Sequence, residues 1–238
     1  EEYEQASLTS TNQTVILNEN FDGNINDNWT VERGNINTSN GILKSSDRGT
    51  ILSKAEYPEP KVIKARLRLD GWPETSTIKI STNGQTEGSY NELIGLSIHL
   101  NWDGNAFSIQ GGGNVLASTN PSPSLQDNSK WLDLEITDTG NKVTATLNNS
   151  VTLDADVSNI TRNGNKIAYY SREFGDGGSV DFIKVEKLRN FDNSTYEIIE
   201  GQFTWEEAKA DAELRGGRLA VLNTPEVLAT AEPVINSF

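Results

Sequence analysis

Apolar and polar residues alternate with a period of two along most of this chain, the signature of strands with one face on a core. In KVIKARLRLD, Ile63, Ala65, Leu67 and Leu69 fall on one side and Lys64, Arg66 and Arg68 on the other. In ELIGLSIHLNW, Ile94, Leu96, Ile98, Leu100 and Trp102 oppose Ser97, His99 and Asn101. KWLDLEITD and NKVTATLNN read as two strands around the turn Thr139-Gly140-Asn141. QTVILNE, NWTVER, GILKSS, GTILSK, STIKIS, AFSIQ, NKIAYYS and SVDFIKVEKL are shorter runs of the same kind. Gly, Asn, Asp and Pro separate them, which favours an all-β, two-sheet antiparallel sandwich over a βαβ fold. FSIQGGGNVLASTNPSPSLQDNSK breaks the rhythm and reads as a surface loop or crossover at one rim.

The period changes near the C-terminal end. After Leu188 the run RNFDNST is a polar linker, and beyond it a helix is expected. Thr204 is its N-cap, Glu207 completes a capping box, and Trp205, Ala208 and Ala212 form a narrow apolar stripe. Gly216-Gly217 ends this helix, and RLAVL follows as an extended segment. A second helix is expected from Thr224 and Pro225 up to Pro233. The expected organisation is a tail at 1–12, a sandwich at 13–189, a linker at 190–195 and the opening of another domain at 196–238.

Composition narrows the function. Only 34% of the 238 residues are hydrophobic, and Asn, Thr, Ser and Gly make up the difference, as polar turns between short strands would. A net charge of −14 argues against a nucleic-acid partner, which needs clustered Lys and Arg. Without Cys, disulfides and thiolate metal sites are excluded. Without Met, the first residue is expected to arise by processing. No apolar run approaches the roughly 20 residues that span a bilayer.

Candidate binding residues are polar side chains on outward strand faces and aromatic rings near them. Rings stack on sugar faces, while amides and imidazoles hydrogen-bond hydroxyls. His99 and Asn101 share one outward face, Trp131 lies on the face of Asp133 and Glu135, Trp72 follows a strand, and Tyr90 lies in a loop. The plainer reading of each is a solvated strand face. FDGNINDN offers Asp22, Asn24, Asn26 and Asp27 as oxygen donors for a hard cation such as Ca²⁺. It is not an EF-hand: counted from Asp22, the sixth position is Asp27 rather than Gly and the twelfth Arg33 rather than Glu. An Asx-rich turn explains the same residues.

LNENFDGNINDNWTVERGNINTSNGILKSS resembles the opening of concanavalin A-like, laminin G-like jelly rolls, with a Phe-Asp strand end, a Trp-started strand and a Gly-containing hairpin. KWLDLEITDTGNKVTATLNNS is similar to the family's Trp-led strand and its successor, and GGSVDFIKVEKL to its closing strand. The resemblance implies that first and last strands lie side by side, which would bring Asp22 and Asp181 together at a structural Ca²⁺ site. It also implies glycan or protein binding, or polysaccharide cleavage. The glucanase-like branch carries E-x-D-x-x-E on one strand, and Asp133-Leu134-Glu135 matches only part of that motif, without the leading Glu.

The C-terminal stretch resembles the start of a C-type lectin-like domain through Tyr196, Thr204, Trp205, Ala208, Gly216, Gly217, Leu219 and Ala220, with Ala212 where many members place Cys. The half of that fold that carries its Ca²⁺ and sugar ligands has no counterpart here, so 196–238 reads as part of a domain from a longer, bacterial, secreted protein. Its helix would dock on the sandwich, self-associate, or pack on the missing half. The function expected is a non-catalytic extracellular or cell-surface recognition module for glycan or an extracellular protein. A glycoside hydrolase-like domain and a structural spacer are the alternatives.

Overall fold

The computed structural model describes residues 13–71, 75–87, 92–93, 95–171, 177–188, 198–199, 201, 203–215 and 219–220. The chain divides into two compact units, Glu1–Leu188 and Arg189–Phe238.

The first unit is an all-β jelly-roll sandwich. Its strands are β1 (Gln13–Glu19), β2 (Trp29–Ser39), β3 (Ile42–Ser53), β4 (Lys61–Leu69), β5 (Thr75–Thr82), β6 (Thr86–Glu87), β7 (Glu92–Leu93) and β8 (Leu96–Asn101). They continue with β9 (Ala106–Gly111), β10 (Asn114–Thr119), β11 (Leu132–Asp138), β12 (Lys142–Leu147), β13 (Val151–Asp156), β14 (Lys166–Ser171) and β15 (Gly178–Leu188). Except for the short β6–β7 pair, they hydrogen-bond in the order β10-β9-β8-β5-β14-β3-β15-β4-β11-β12-β13, with β1 on β15 and β2 on β3.

Strand β3 joins the two layers. Its N-terminal part, Leu43 to Ser45, pairs with β15, and Thr50 to Leu52 pair with β14. Arg48 lies between them at φ 47. We call β10-β9-β8-β5-β14 with the end of β3 the first sheet, and β15-β4-β11-β12-β13 with the start of β3 the second. The period-two alternation turns one face of each inward. Ile78, Ile98, Leu100, Phe107, Ile109 and Tyr169 from the first sheet meet Ile63, Leu67, Leu134, Ile136, Val143 and Val185 from the second in one core.

The structure extends or corrects several expectations. GILKSS and GTILSK are one strand, bent at Arg48. The triple glycine is a hairpin turn rather than a rim crossover, since Gly112 and Gly113 take φ 58 and 77 and NVLAST pairs antiparallel with β9. VTLDAD is an additional edge strand on β12. ELIGLSIHLNW is interrupted at Gly95, where φ is 152, and Leu96 opens β8.

In the second unit, α1 (Trp205–Leu214) begins with the expected capping box: Thr204 Oγ1 accepts from the Glu207 N–H, and Glu207 Oε2 accepts from the Thr204 N–H at 2.8 Å. No residue of α1 is buried; Trp205 is 65% exposed, with the Lys209 ammonium 5.5 Å from its ring centroid. Residues 216–218 and 221–238, with the expected second helix, lie outside the described residues. The C-type lectin-like resemblance therefore remains one of sequence.

Candidate functional site

The two outer faces of the sandwich differ in chemistry. On the second sheet, Arg66 Nε donates to Asp133 Oδ1 at 2.7 Å, and Arg66 Nη1 lies 3.8 Å from Asp181. Lys64 sits 3.7 Å from Glu135 and 3.1 Å from Glu186, and Glu186 also holds Lys184 at 2.5 Å. Burial pushes the Glu186 carboxyl up, but hydrogen bonds from Lys184 and Lys64 outweigh that and keep it below its ordinary value. Glu186 thereby relieves the facing of Lys184 on Lys64 across two strands. This is a cross-strand charge ladder, and Asp133 and Glu135 belong to it. Replacing both by Asn and Gln is expected to cost at most about 1 kcal/mol in urea unfolding, as exposed ion pairs do.

The first sheet carries a different set. Register places Thr50, Tyr170, Thr77, His99, Ser108 and Ser118 in one row across six strands. The adjacent row holds Leu52, Ala168, Lys79, Ser97, Gln110 and Val115. Thr77 and Ser97 are buried, Lys79 is 6% exposed, His99 and Gln110 are half-buried, and Ser118 is exposed. The His99 ring bridges the rows, with Nδ1 3.2 Å from Thr77 Oγ1 and Nε2 3.0 Å from Ser97 Oγ. Lys79 Nζ donates to Ser97 Oγ at 3.5 Å, and Gln110 Nε2 to Ser108 Oγ at 3.0 Å. Thr50–Ser53, Thr75–Thr82, Leu96–Asn101, Ala106–Gly111, Asn114–Thr119 and Lys166–Ser171 contain no Asp or Glu.

The candidate ligand residues do not converge. His99 and Asn101 lie on the outer face of the first sheet. Trp131 precedes β11 on the second sheet, half-buried, with the Arg68 guanidinium 5.0 Å from its ring centroid. The core separates it from His99. Trp72 and Tyr90 lie outside the described residues. Ser97 shares the outward face of His99 by alternation, while Thr77, Lys79 and Gln110 join it only through strand pairing, although the alternation of STIKIST already set Thr77 and Lys79 opposite Ile78 and Ile80.

The Ca²⁺ set does not fit a hard cation, which needs six to eight converging oxygens. Strand β1 does pair with β15, yet the donors are spent elsewhere. Asp22 accepts from Asn20 Nδ2 at 2.7 Å and covers Gly41, Asn24 Oδ1 caps a 3-10 turn at Ile25–Asp27, and Asp181 faces Arg66. Among the described residues, no three His, Asp or Glu side chains cluster as metal ligands. The loop is organised from inside by Glu19, the last residue of β1. Its carboxylate accepts from Phe21 N at 2.8 Å, Asn28 Nδ2 at 2.9 Å and Trp29 Nε1 at 3.1 Å.

Strand order and pairing define the class: a jelly-roll sandwich of the concanavalin A-like and galectin-like kind. Among solved structures, the endo-β-1,3-glucanase of Pyrococcus furiosus is similar with a TM-score of 0.57 at 14% identity, over 74% of this chain and 94% of its own. The exoplasmic/lumenal domain of VIP36 in its Ca²⁺-bound form gives 0.54 at 11% identity, over 72% and 85%. The metal-free carbohydrate recognition domain of Emp46p gives 0.54 at 13%, over 72% and 94%. At these identities the likeness establishes the fold alone. No protein-family model and no curated protein sequence matches the chain.

Proposed function

We propose that residues 13–188 form a non-catalytic glycan-recognition module that works outside the cell or at its surface. The ligand face is the outer face of the first sheet, where half-buried His99, Asn101 and Gln110 rise from a floor of hydroxyls. The carrying observation is its chemistry: donors and acceptors suited to sugar hydroxyls, on six strand segments without a carboxylate. A retaining glycosidase needs two carboxyls about 5–5.5 Å apart, and those strands supply none. Asp133 and Glu135, the best pair in sequence, are held by Arg66 and Lys64 on the other sheet. The proposal takes its ligand class from the similar folds, which include a glucanase and a carbohydrate recognition domain.

A glycan array followed by titration tests this reading. A His99→Ala/Asn101→Ala double variant that keeps its unfolding midpoint is expected to lose at least about tenfold in affinity, the combined value of the imidazole ring face and a hydrogen bond from the Asn101 amide. Binding that survives undiminished would move the site elsewhere. Reducing-sugar release by the wild type, lost in Glu135→Gln, would replace recognition by hydrolysis.

A further inference from the structure

We propose that the free edge of β10 is a self-association surface, where a second copy of this chain adds its own β10 antiparallel about a twofold axis. Charge selects both the strand and the partner. Two chains of net charge −14 repel wherever their acids face each other, so copies meet best on a surface without them. Residues 104–126 contain no Asp, Glu, Lys or Arg, and β8, beside β9, contains none either. The other edge strands differ. Strand β2 carries Glu32 and Arg33, and β1 lies against β15 with Asp181, Lys184, Glu186 and Lys187. Strand β13 carries Asp154 and Asp156, so a twofold pair there would bring like charges together. Charges of this kind protect sheet edges from added strands, and β10 has none.

The geometry leaves this edge open. Strand β10 ends the sheet, and among the described residues its backbone pairs with β9 alone. Gly112 and Gly113 form the two-residue turn of that hairpin, so Gly111 and Asn114 are its hydrogen-bonded closing pair. Alternation then points the Val115 N–H and C=O away from β9, toward the free edge. Val115 is 59% exposed, with Asn114 and Ser118 exposed beside it, while half-buried Leu116 and Ala117 pack on the core and hold the strand in place. The register shift between Val115 and Ala117, and Pro121 just beyond the strand, keep the added run short. The pair is therefore small and reversible, with a Kd on the order of 100 µM. A twofold axis perpendicular to the sheet turns the outer faces of both first sheets to the same side and leaves no β10 edge for a third copy. The pairing stands whether or not that face binds glycan.

Sedimentation of the full chain from about 5 to 500 µM is expected to show a monomer–dimer equilibrium. Raising NaCl from about 0.05 to 0.5 M should tighten it about three- to tenfold, because screening weakens the repulsion between two acidic chains. Val115→Glu, an exposed change expected to keep the unfolding midpoint, should weaken it at least about tenfold. The chain has no Cys, so a spin label on Val115→Cys reports the contact directly, and Ser118→Cys serves where the first label prevents pairing. The two labels of a dimer should lie within about 25 Å of each other, whereas labels on Glu32→Cys, on β2 beyond β3, should lie more than about 40 Å apart. A monomer at every concentration overturns the proposal. So does a dimer that withstands Val115→Glu, that salt weakens, or that brings the Glu32→Cys labels together rather than those on β10.

Discussion

Asp138→Ala is expected to cost the sandwich about 3–5 kcal/mol, the loss associated with removing one partner of a buried ion pair. Asp138 ends β11 and is fully buried, as is Lys61, whose ammonium lies 3.4 Å away. Arg162 donates to both carboxylate oxygens at 2.7 and 2.8 Å, and the Gly140 N–H adds a bond at 3.0 Å. Arg162 also donates to the Gly140 carbonyl at 2.8 Å, and Lys61 to the Tyr57 carbonyl at 2.8 Å. One carboxylate therefore pairs with two cations, with Glu59 3.7 Å from Arg162 as the second negative charge, and ties the β11–β12 turn to the segment before β4. Burial draws the Lys61 ammonium below its ordinary value against the pull of Asp138, so without Asp138 the remaining cation is costly.

The pH dependence has a definite sign. Burial alone would raise the Asp138 carboxyl, but the Arg162 hydrogen bonds and the charges of Lys61 and Arg162 hold it below its ordinary value. A carboxyl depressed in the folded state gives its full stabilisation above the ordinary carboxylate range and loses it as pH falls through the folded value. Urea midpoints of wild type and Asp138→Ala should be far apart at neutral pH and approach each other in acid. Asp138→Asn, which keeps hydrogen-bonding capacity but not charge, should fall between them. Equal midpoints at neutral pH would show that the cluster contributes nothing.

The elements most legible in the sequence are those whose two faces differ most. Strand β11 along its length and β4 from Ile63 onward alternate buried and more exposed residues, and their sequences alternate accordingly. Strand β13 sits at an edge yet alternates Val151, Leu153 and Ala155 with exposed Thr152, Asp154 and Asp156, so the same rule makes it legible. Strand β10 is harder, since a register shift between Val115 and Ala117 breaks its alternation. The site is harder still, because it is a property of pairing. His99 and Asn101 could be placed on one outward face, but nothing local puts Thr77 beside His99, or Trp131 on the opposite sheet. The partition of acids is likewise a property of pairing: β4 and β12 of the second sheet also lack Asp and Glu, so an acid-free strand sequence does not by itself mark the first sheet. The loop Asn20–Asn28 carries two readings because Asn and Asp signal both turns and hard-cation ligands, and the position of Glu19 favours the turn.

Glu19→Ala tests that separation, with an expected loss of about 2–4 kcal/mol from three donors losing a charged acceptor. Glu19 is 7% exposed, and the Trp29 indole that it holds is fully buried at the start of β2. Without the carboxylate the Phe21 N–H and the indole N–H lose this acceptor in a poorly solvated place, and Asn28 loses its tether to β1. Native-state proteolysis should then cut within residues 20–28 much faster than in the wild type, while the rest of the sandwich resists. Glu19→Gln, which keeps an acceptor oxygen but loses the charge, should lie between the two. Millimolar Ca²⁺ or a chelator should leave the wild-type midpoint in place, since the loop is held by an internal carboxylate accepting from neutral donors. A midpoint raised by Ca²⁺ and insensitive to Glu19→Ala would reverse that assignment and return the loop to Asp22 and Asn24.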